Sequence, residues 1–177
     1  AYKVAEKIGV ESLIEFVRAD TMQMDAIRTA AYDFVYTSNG VHVWIDNLQA
    51  MYQNIYRILK PGGIYIMCDV YPYMWSFDDD ANIVKPYDCT GPFESETNIT
   101  FAWRIQDIVN AILEAGMQMM RFDELSAEKD YDLPFWIRNE EYEKGFRLGR
   151  EEVDRMYDWK TNPLAALPNW MCIVARK

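Results

Sequence analysis

The sequence predicts an α/β domain with a doubly wound, mostly parallel sheet and helices on both faces. Two observations predict it. Apolar runs of strand length alternate along the 177-residue chain with amphipathic segments of helical length. Residues 34–37 and 64–70 are also nearly continuous in apolar side chains, as in parallel strands that are covered on both faces. The length suits one domain, spanning residues 1–177.

Composition excludes several classes of protein. Hydrophobic residues make up 50% of the chain and charged residues 26%, which is typical of a folded globular protein and not of a disordered one. A net charge of −10 with a single His disfavours nucleic acid as a partner. No apolar stretch reaches the roughly 20 residues that cross a bilayer, and no signal peptide opens the chain. We therefore expect a cytoplasmic protein without a membrane or nucleic-acid partner.

Three cysteines are widely spaced and form no CxxC pair. Cys68 and Cys172 lie inside apolar runs, whereas Cys89 does not. The odd number and the spacing predict buried thiols in a reducing compartment.

Strands and helices follow in order from periodicity. The first eight residues resemble the end of a helix that stops at Gly9. Apolar runs of strand length then occupy residues 13–17, 34–37, 64–70, 117–122 and 170–175. Helical stripes occupy residues 47–59, 103–115 and, with weaker periodicity, 139–159. Asp46 is the candidate N-cap of the first stripe, and Pro61-Gly62-Gly63 breaks the chain after it.

Residues 71–98 form a long irregular segment. It holds three prolines and six aromatic side chains directly after a predicted strand. A loop of this length is usually functional or disordered, and its aromatic content favours an insertion that acts as a lid or pocket wall.

Two polar motifs follow predicted strands. Asp20, Thr21 and Met22 come after the first strand, where a carboxylate and a thioether suit a flat, amine-bearing ring. The alternative is that Asp20 only caps a helix that starts near Met24.

The second motif, Ser38-Asn39-Gly40, is a small polar turn that can bring backbone close to a ligand. Val41 and His42, the only imidazole, come next. The alternatives here are an ordinary turn and a His that is hydrogen-bonded for structural reasons.

These residues together resemble class I S-adenosylmethionine-dependent methyltransferases. The resemblance rests on Asp20 after a strand, on Tyr32-Asp33-Phe34-Val35, and above all on Leu59-Lys60-Pro61-Gly62-Gly63 before the next strand. It covers nearly the whole chain but only the later part of the fold, since the family's glycine-rich first motif is absent from these residues. It implies a Rossmann-like sheet with an antiparallel last strand and missing N-terminal strands.

In that family the strand order is 3-2-1-4-5-7-6, so the first and second strands lie between the third and the fourth, and the last strand lies between the fifth and the sixth. The resemblance therefore implies a gap in the sheet between residues 13–17 and 34–37. We expect an N-terminal part of the protein or a second copy in a homodimer to fill this gap, because apolar strand edges are rarely left open. The alternative is that residues 13–17 pair directly with residues 34–37.

The resemblance also implies roles for single residues, with S-adenosylmethionine as cofactor and a small molecule as acceptor. Aromatic faces stabilise cations, and an oxygen or nitrogen acceptor also needs a base. For the acceptor-binding candidates, the alternatives are that the aromatic side chains only pack in the core and that the Arg is an ordinary surface residue. The cofactor-binding candidates are Asp20, Thr21, Met22, Ser38, Asn39, Gly40 and Val41; the catalytic candidates are His42, Tyr71 and Tyr73; and the acceptor-binding candidates are Trp44, Trp75, Trp103, Arg104 and Trp136.

Three functions follow as hypotheses. The first is methyl transfer to a small molecule. The second is a non-catalytic domain of the same fold that binds the cofactor or a partner. The third, a nicotinamide-dependent dehydrogenase, lacks support because the chain has no GxGxxG motif.

Overall fold

A four-stranded sheet lies at the centre of the computed structural model, which describes residues 2–78, 81–126 and 150–177. Two further short strands pair as a separate hairpin. In chain order the strands are β1 (Tyr32–Ser38), β2 (Leu59–Val70), β3 (Phe93–Glu94), β4 (Ile99–Thr100), β5 (Gln118–Leu125) and β6 (Trp170–Arg176).

Strand order in the sheet is β1-β2-β6-β5. β1 and β2 are parallel, and β6 runs antiparallel to both of its neighbours. The last strand is thus inserted between two earlier ones, which confirms the predicted position and direction of the closing strand. The carboxyl ends of β1 and β2 meet at one edge of the sheet, where a doubly wound fold places its ligands.

Four α-helices lie within the described residues: α1 (Tyr2–Lys7), α2 (Leu48–Ile58), α3 (Ile105–Glu114) and α4 (Arg150–Met156). They confirm the predicted helices, although most of residues 139–159 lies outside the described residues. The predicted N-cap of α2 was wrong by one residue. The side chain of Asn47, not Asp46, accepts the Ala50 N–H at 2.9 Å. None of the described helices has the length and apolarity that a bilayer span requires.

The turn between α2 and β2 is tighter than the sequence suggested. β2 begins at Leu59, so Pro61-Gly62-Gly63 forms a bulge inside the strand where Leu59 pairs with Tyr32 and Ile64 with Phe34. A Cβ on Gly63 would lie 2.9 Å from the Lys60 carbonyl oxygen. The second glycine is therefore required by close backbone approach.

The core lies where α2 and α3 pack on one face of the sheet. Its fully buried side chains alternate along β2 and β6 and lie between helical ones. They include Met51, Tyr52 and Ile55 of α2, Ile108 and Ile112 of α3, Tyr65 and Met67 of β2, and Met171 and Ile173 of β6. On the opposite face Ile64 and Ile66 are only half-buried and Phe34 is exposed. Within the described residues, helices therefore pack on one face of the sheet, whereas the sequence predicted helices on both faces.

The predicted first strand was wrong. Residues Glu11–Leu13 form one 3-10 turn, and residues 14–20 are not paired with a strand. Leu13 is 82% exposed. An extended segment becomes a strand only when a neighbour offers hydrogen bonds, and no such neighbour lies beside it within the described residues. The alternative pairing with β1 does not occur either, since among the described strands β1 is paired with β2 alone.

The prediction of two free thiols was also wrong. Cys68 of β2 and Cys172 of β6 are opposite partners in the antiparallel ladder, with Cα atoms 4.3 Å apart, and they form a disulfide. Sequence spacing could not reveal this pairing, because 104 residues separate the two positions. Cys89 is a free, exposed cysteine.

Candidate functional site

A buried polar group ties together the carboxyl ends of β1 and β2. Asp69, near the end of β2, is 3% exposed, and its Oδ2 lies 2.7 Å from His42 Nδ1. Its Oδ1 accepts the backbone N–H groups of Gly40 at 2.5 Å and of Val70 at 2.8 Å. The carboxylate is thus satisfied on both oxygens, and it holds the loop after β1 against β2.

The charge of the Asp69 carboxyl depends on competing effects on its pKa. Burial raises the pKa of the Asp69 carboxyl, but the hydrogen bond from His42, together with those from the Gly40 and Val70 N–H groups, outweighs burial and lowers that pKa below its ordinary value of 3.8. Asp69 is therefore ionised at neutral pH. A carboxylate only accepts hydrogen bonds, so His42 Nδ1 is the donor in this pair.

The second nitrogen of His42 is also occupied. Nε2 lies 2.6 Å from the hydroxyl of Tyr52, a fully buried residue of α2. The imidazole itself is 6% exposed. Both ring nitrogens therefore have protein partners, and the structure favours the alternative in which His42 is a hydrogen-bonded structural residue.

The turn after β1 has the backbone conformation of a tight polar loop. Asn39 and Gly40 both have positive φ, 60° and 81°. The Asn39 N–H donates to the Cys68 carbonyl at 3.2 Å, as the Gly40 N–H does to Asp69. These two amides therefore bond to β2, whereas the sequence suggested that they approach a ligand. Val41 packs against the core and leads into the 3-10 turn His42–Trp44.

A small cavity of about 10 Å³ with aromatic walls, called the cleft below, lies beside this group. It contains Trp75 and Trp103, two of the predicted acceptor-binding residues, together with His42. Trp103 is oriented by its indole N–H, which donates to the Ile45 carbonyl at 2.7 Å. The cleft is lined by His42, Val43, Asp69, Val70, Pro72, Trp75, Phe101, Trp103 and Ile108. Apart from the two buried polar groups, its walls are aromatic or aliphatic.

Asp20, Thr21 and Met22 lie against α2. The Asp20 Oδ1 accepts the Met22 N–H at 2.8 Å, so the carboxylate caps a local turn. The helix that the alternative placed near Met24 was wrong, since no helix lies within residues 21–30. The Thr21 carbonyl accepts from Asn54 Nδ2 at 3.3 Å, and Met22 packs partly against the core. Arg57 of α2 holds the following segment through the Met24 and Ile27 carbonyls.

Tyr71 and Tyr73 are hydrogen-bond donors within the protein. The Tyr71 hydroxyl donates to Glu124 and the Tyr73 hydroxyl to the Pro168 carbonyl. Burial raises the pKa of both phenols, with Glu124 adding to the effect. Neither residue is among those that line the cleft.

Trp44 and Arg104, two other predicted acceptor-binding residues, are not among those that line the cleft. Trp44 is 57% exposed, and Arg104 makes a bidentate ion pair with Asp107 at the start of α3. The Arg104 hydrogen bond lowers the pKa of Asp107. Arg104 therefore acts as a capping residue of α3, a role that the sequence did not suggest. Trp136 lies outside the described residues.

The irregular segment docks back onto the site. Residues Pro72–Ser76 form a 3-10 turn, and the Phe101 N–H that follows the hairpin donates to the Val43 carbonyl at 2.9 Å. The Tyr87 hydroxyl accepts the Ile105 N–H at the start of α3. These contacts place Trp75 and Phe101 at the cleft, while the action of residues 71–98 as a lid stays a prediction.

Sequence analysis missed Asp69 and Tyr52. Asp69 interrupts an otherwise apolar strand, and a buried carboxylate needs a donor or cation as partner, so that charge was a usable signal. Tyr52 follows Leu48 by four residues and so belongs to the apolar stripe of α2. Its hydroxyl was the signal, because a buried phenol usually finds a partner.

Comparison with known proteins agrees with this architecture. The family described as a methyltransferase domain matches residues 1–67. An S-adenosylmethionine-dependent methyltransferase from Mesorhizobium loti superposes over 97% of this chain and 76% of its own, with a TM-score of 0.63 and 14% identity. The chain has the later part of the class I methyltransferase fold. This confirms the fold that the resemblance predicted.

Other proteins of this fold extend the comparison. The geranyl diphosphate C-methyltransferase from Streptomyces coelicolor superposes over 99% of this chain and 58% of its own, with a TM-score of 0.59 and 10% identity. Sterol 24-C-methyltransferase from Schizosaccharomyces pombe is 31% identical over 132 residues, which are 75% of this chain. Those residues are 34% of that enzyme, so the chain spans about a third of the length of the curated relatives that it matches.

Proposed function

We propose that this protein transfers a methyl group from S-adenosylmethionine to a small-molecule acceptor. The observation that carries the proposal is the turn Ser38-Asn39-Gly40, which Asp69 holds at the carboxyl ends of two parallel strands beside an aromatic cleft. In a doubly wound sheet this is the place where ligands bind. The similarity to methyltransferases adds support from the sequence side.

The residues around the turn suit this cofactor. Gly40 has no side chain to obstruct a ligand, and the hydroxyl of Ser38 and the backbone carbonyls of the turn are acceptors that suit positively charged groups. Ser38, Asn39, Gly40 and Val41 would line the methionine and sulfonium end of the cofactor. When bound, S-adenosylmethionine supplies an electrophilic methyl group on a sulfonium.

The segment on α2 suits the other end of the cofactor. Asp20 is exposed and uses Oδ1 for the Met22 N–H, while no described residue is bonded to Oδ2. That oxygen could accept from the adenine amine, and Met22, with Thr21 between them, would lie near the ring. Arg57 stabilises this arrangement through two carbonyls of the next turn.

The walls of the cleft have the chemistry that an apolar acceptor needs, although its volume of about 10 Å³ holds no more than a water molecule until those walls move apart. Trp75, Phe101 and Trp103 supply aromatic surface, and Val43, Pro72 and Ile108 supply aliphatic surface. Such walls exclude water and orient an apolar group, and orientation with desolvation supplies most of the rate of an in-line methyl transfer. Trp44 and Arg104 would contact a larger acceptor outside the cleft.

The three candidate bases all have protein partners. His42 uses both nitrogens, and the phenols of Tyr71 and Tyr73 donate to Glu124 and Pro168. A phenol with a raised pKa is protonated near neutral pH and is a poor base. This favours an acceptor atom that attacks without first losing a proton, such as an alkene carbon, a thiolate or a neutral amine.

The engagement of all three candidate bases by protein partners also favours a second candidate function, a domain that binds the cofactor or a partner without catalysis. The two functions differ in a simple measurement. A catalytic protein moves labelled methyl groups to an acceptor in a panel of apolar alkenes, thiols and amines. A binding domain is stabilised against heat by the cofactor but labels none of them.

Gly40→Ala in the full-length protein tests the cofactor site. Alanine at a φ of 81° costs about 1 kcal/mol of stability and moves the turn, so the affinity for S-adenosylhomocysteine should fall by calorimetry. Gly9→Ala is the matched control, since Gly9 has a φ of 72° and open space around it but lies on a different loop. Equal affinities in the two variants would refute the assignment of the turn.

A further inference from the structure

The hydroxyl of Tyr52 has no role in the proposed function, although it is joined to the cofactor turn by hydrogen bonds. Tyr52 is fully buried on α2, and its hydroxyl lies 2.6 Å from His42 Nε2. His42 Nδ1 lies 2.7 Å from Asp69 Oδ2, and Asp69 Oδ1 accepts the Gly40 N–H at 2.5 Å. Three hydrogen bonds therefore connect the middle of the helix to the turn.

The direction of each bond follows from chemistry. Because Asp69 is a carboxylate, it only accepts, and His42 must donate from Nδ1. In a neutral imidazole the other nitrogen is then an acceptor, so the Tyr52 hydroxyl donates to Nε2. The partners of His42 thereby select the tautomer that carries its proton on Nδ1 and fix the plane of the ring.

We propose that Tyr52 is a positioning residue, whose hydroxyl holds the His42 imidazole and, through Asp69, sets the Gly40 N–H and the turn that receives S-adenosylmethionine. This inference rests on the proposed function for the identity of the ligand. The hydrogen-bonded arrangement itself is independent of any ligand. Without the hydroxyl, Nε2 would be left unpaired in a buried site, and the ring would be free to turn away from Asp69.

A neighbouring residue offers a matched control. Tyr65 of β2 is also fully buried, and its ring centroid lies 5.7 Å from that of Tyr52. Its hydroxyl lies 2.6 Å from Thr37 Oγ1. Tyr65→Phe therefore removes a buried, hydrogen-bonded hydroxyl from the same core and leaves both hydrogen bonds of His42 in place, although it also removes the interaction between the Tyr65 and Tyr52 hydroxyls.

Calorimetry with S-adenosylhomocysteine on the full-length protein is the first test. Tyr52→Phe should weaken binding about tenfold, the scale of one lost hydrogen bond, and Tyr65→Phe less than about twofold. Both variants should melt at a lower temperature, because each loses a buried hydrogen bond. Equal losses of affinity in the two variants, or none in Tyr52→Phe, would overturn the proposal.

Nuclear magnetic resonance gives a second readout that needs no cofactor. In the wild-type protein the His42 side chain should show the pattern of an imidazole protonated on Nδ1, and the Gly40 amide proton should lie far downfield. Tyr52→Phe should shift that amide upfield and speed its exchange with solvent, while Tyr65→Phe leaves it in place.

The spectra test the positioning role of Tyr52, and binding of S-adenosylhomocysteine by the wild-type protein tests the proposed function. A wild-type imidazole protonated only on Nε2, or a Gly40 amide that Tyr52→Phe does not move, would overturn the positioning role. The wild-type measurement decides the matter even when Tyr52→Phe does not fold. Failure of the wild-type protein to bind S-adenosylhomocysteine would instead refute the proposed function, with the positioning role still decided by the spectra.

Discussion

The backbone N–H of Gly40 donates to the side chain of Asp69 across 2.5 Å, and this contact joins the loop after one parallel strand to the end of the next. The same carboxylate binds His42. The shape of the turn therefore depends on one buried charge, and changes to that charge should reach the whole site.

Asp69→Asn should lower the free energy of unfolding by about 1–3 kcal/mol at pH 7, because a neutral amide is a weaker acceptor for His42 and for two backbone N–H groups. The folded-state pKa of Asp69 is lowered from 3.8, so its contribution is present above about pH 4 and is lost as the pH falls through the folded pKa. Urea unfolding at pH 7 and in acid measures both effects.

Asp33→Asn is the control for that experiment. Asp33 pairs with Lys60 at 2.7 Å, but its side chain is 83% exposed, so its loss should cost less than about 0.5 kcal/mol. If the difference in stability between wild type and Asp69→Asn grew on acidification, the predicted direction of the pH dependence would be wrong.

Asp20→Ala in the full-length protein should weaken S-adenosylmethionine binding by about 1–3 kcal/mol, because a charged acceptor for the adenine amine is lost. Asp25→Ala is the control, since Asp25 is exposed in the same segment and has no proposed contact with the ring. Calorimetry compares the two variants. Unchanged affinity in Asp20→Ala would leave this carboxylate with its capping role alone.

Tyr71→Phe and Tyr73→Phe test whether either phenol is a base. Since both hydroxyls donate within the protein and their pKa values are raised, turnover should fall by less than about tenfold in each variant. Removal of a true base lowers turnover by about a hundredfold or more. A loss of that size, restored by raising the pH, would establish the residue as the base.

The outer edge of β1 should be covered in the full-length protein. Tyr32, Phe34 and Tyr36 are 40%, 51% and 54% exposed, and residues 14–17 are exposed as well. Apolar strand edges attract another strand, from a different part of the protein or from a second copy. Hydrogen exchange should find every amide from Phe34 to Tyr36 protected, and light scattering should tell the two sources apart. Rapid exchange at alternate amides would mean an open edge.

Much of the fold was predictable from local pattern. The apolar stripe of α2 and the continuous runs of β1 and β2 each depend on neighbours within a few residues. Pro61-Gly62-Gly63 was predicted as a break before the strand, but it forms a bulge inside β2. Even the strand order followed once these pieces had been recognised as those of one family. Residues 13–17 were the exception, because their apolarity identified a strand but could not supply a partner for it.

The sequence by itself determined the helices, four of the five predicted strands, and the presence of polar residues after β1. Only the tertiary structure decided what those residues do. His42 is held by Asp69, which lies 27 residues away, and by Tyr52, which lies 10 away on another element. The sequence also could not predict the disulfide between Cys68 and Cys172, or the hydrogen-bond partners of Tyr71 and Tyr73. Hydrophobic periodicity reports which face of an element is buried, whereas the partner of a buried polar atom depends on how distant elements pack, and that information is spread over the whole chain.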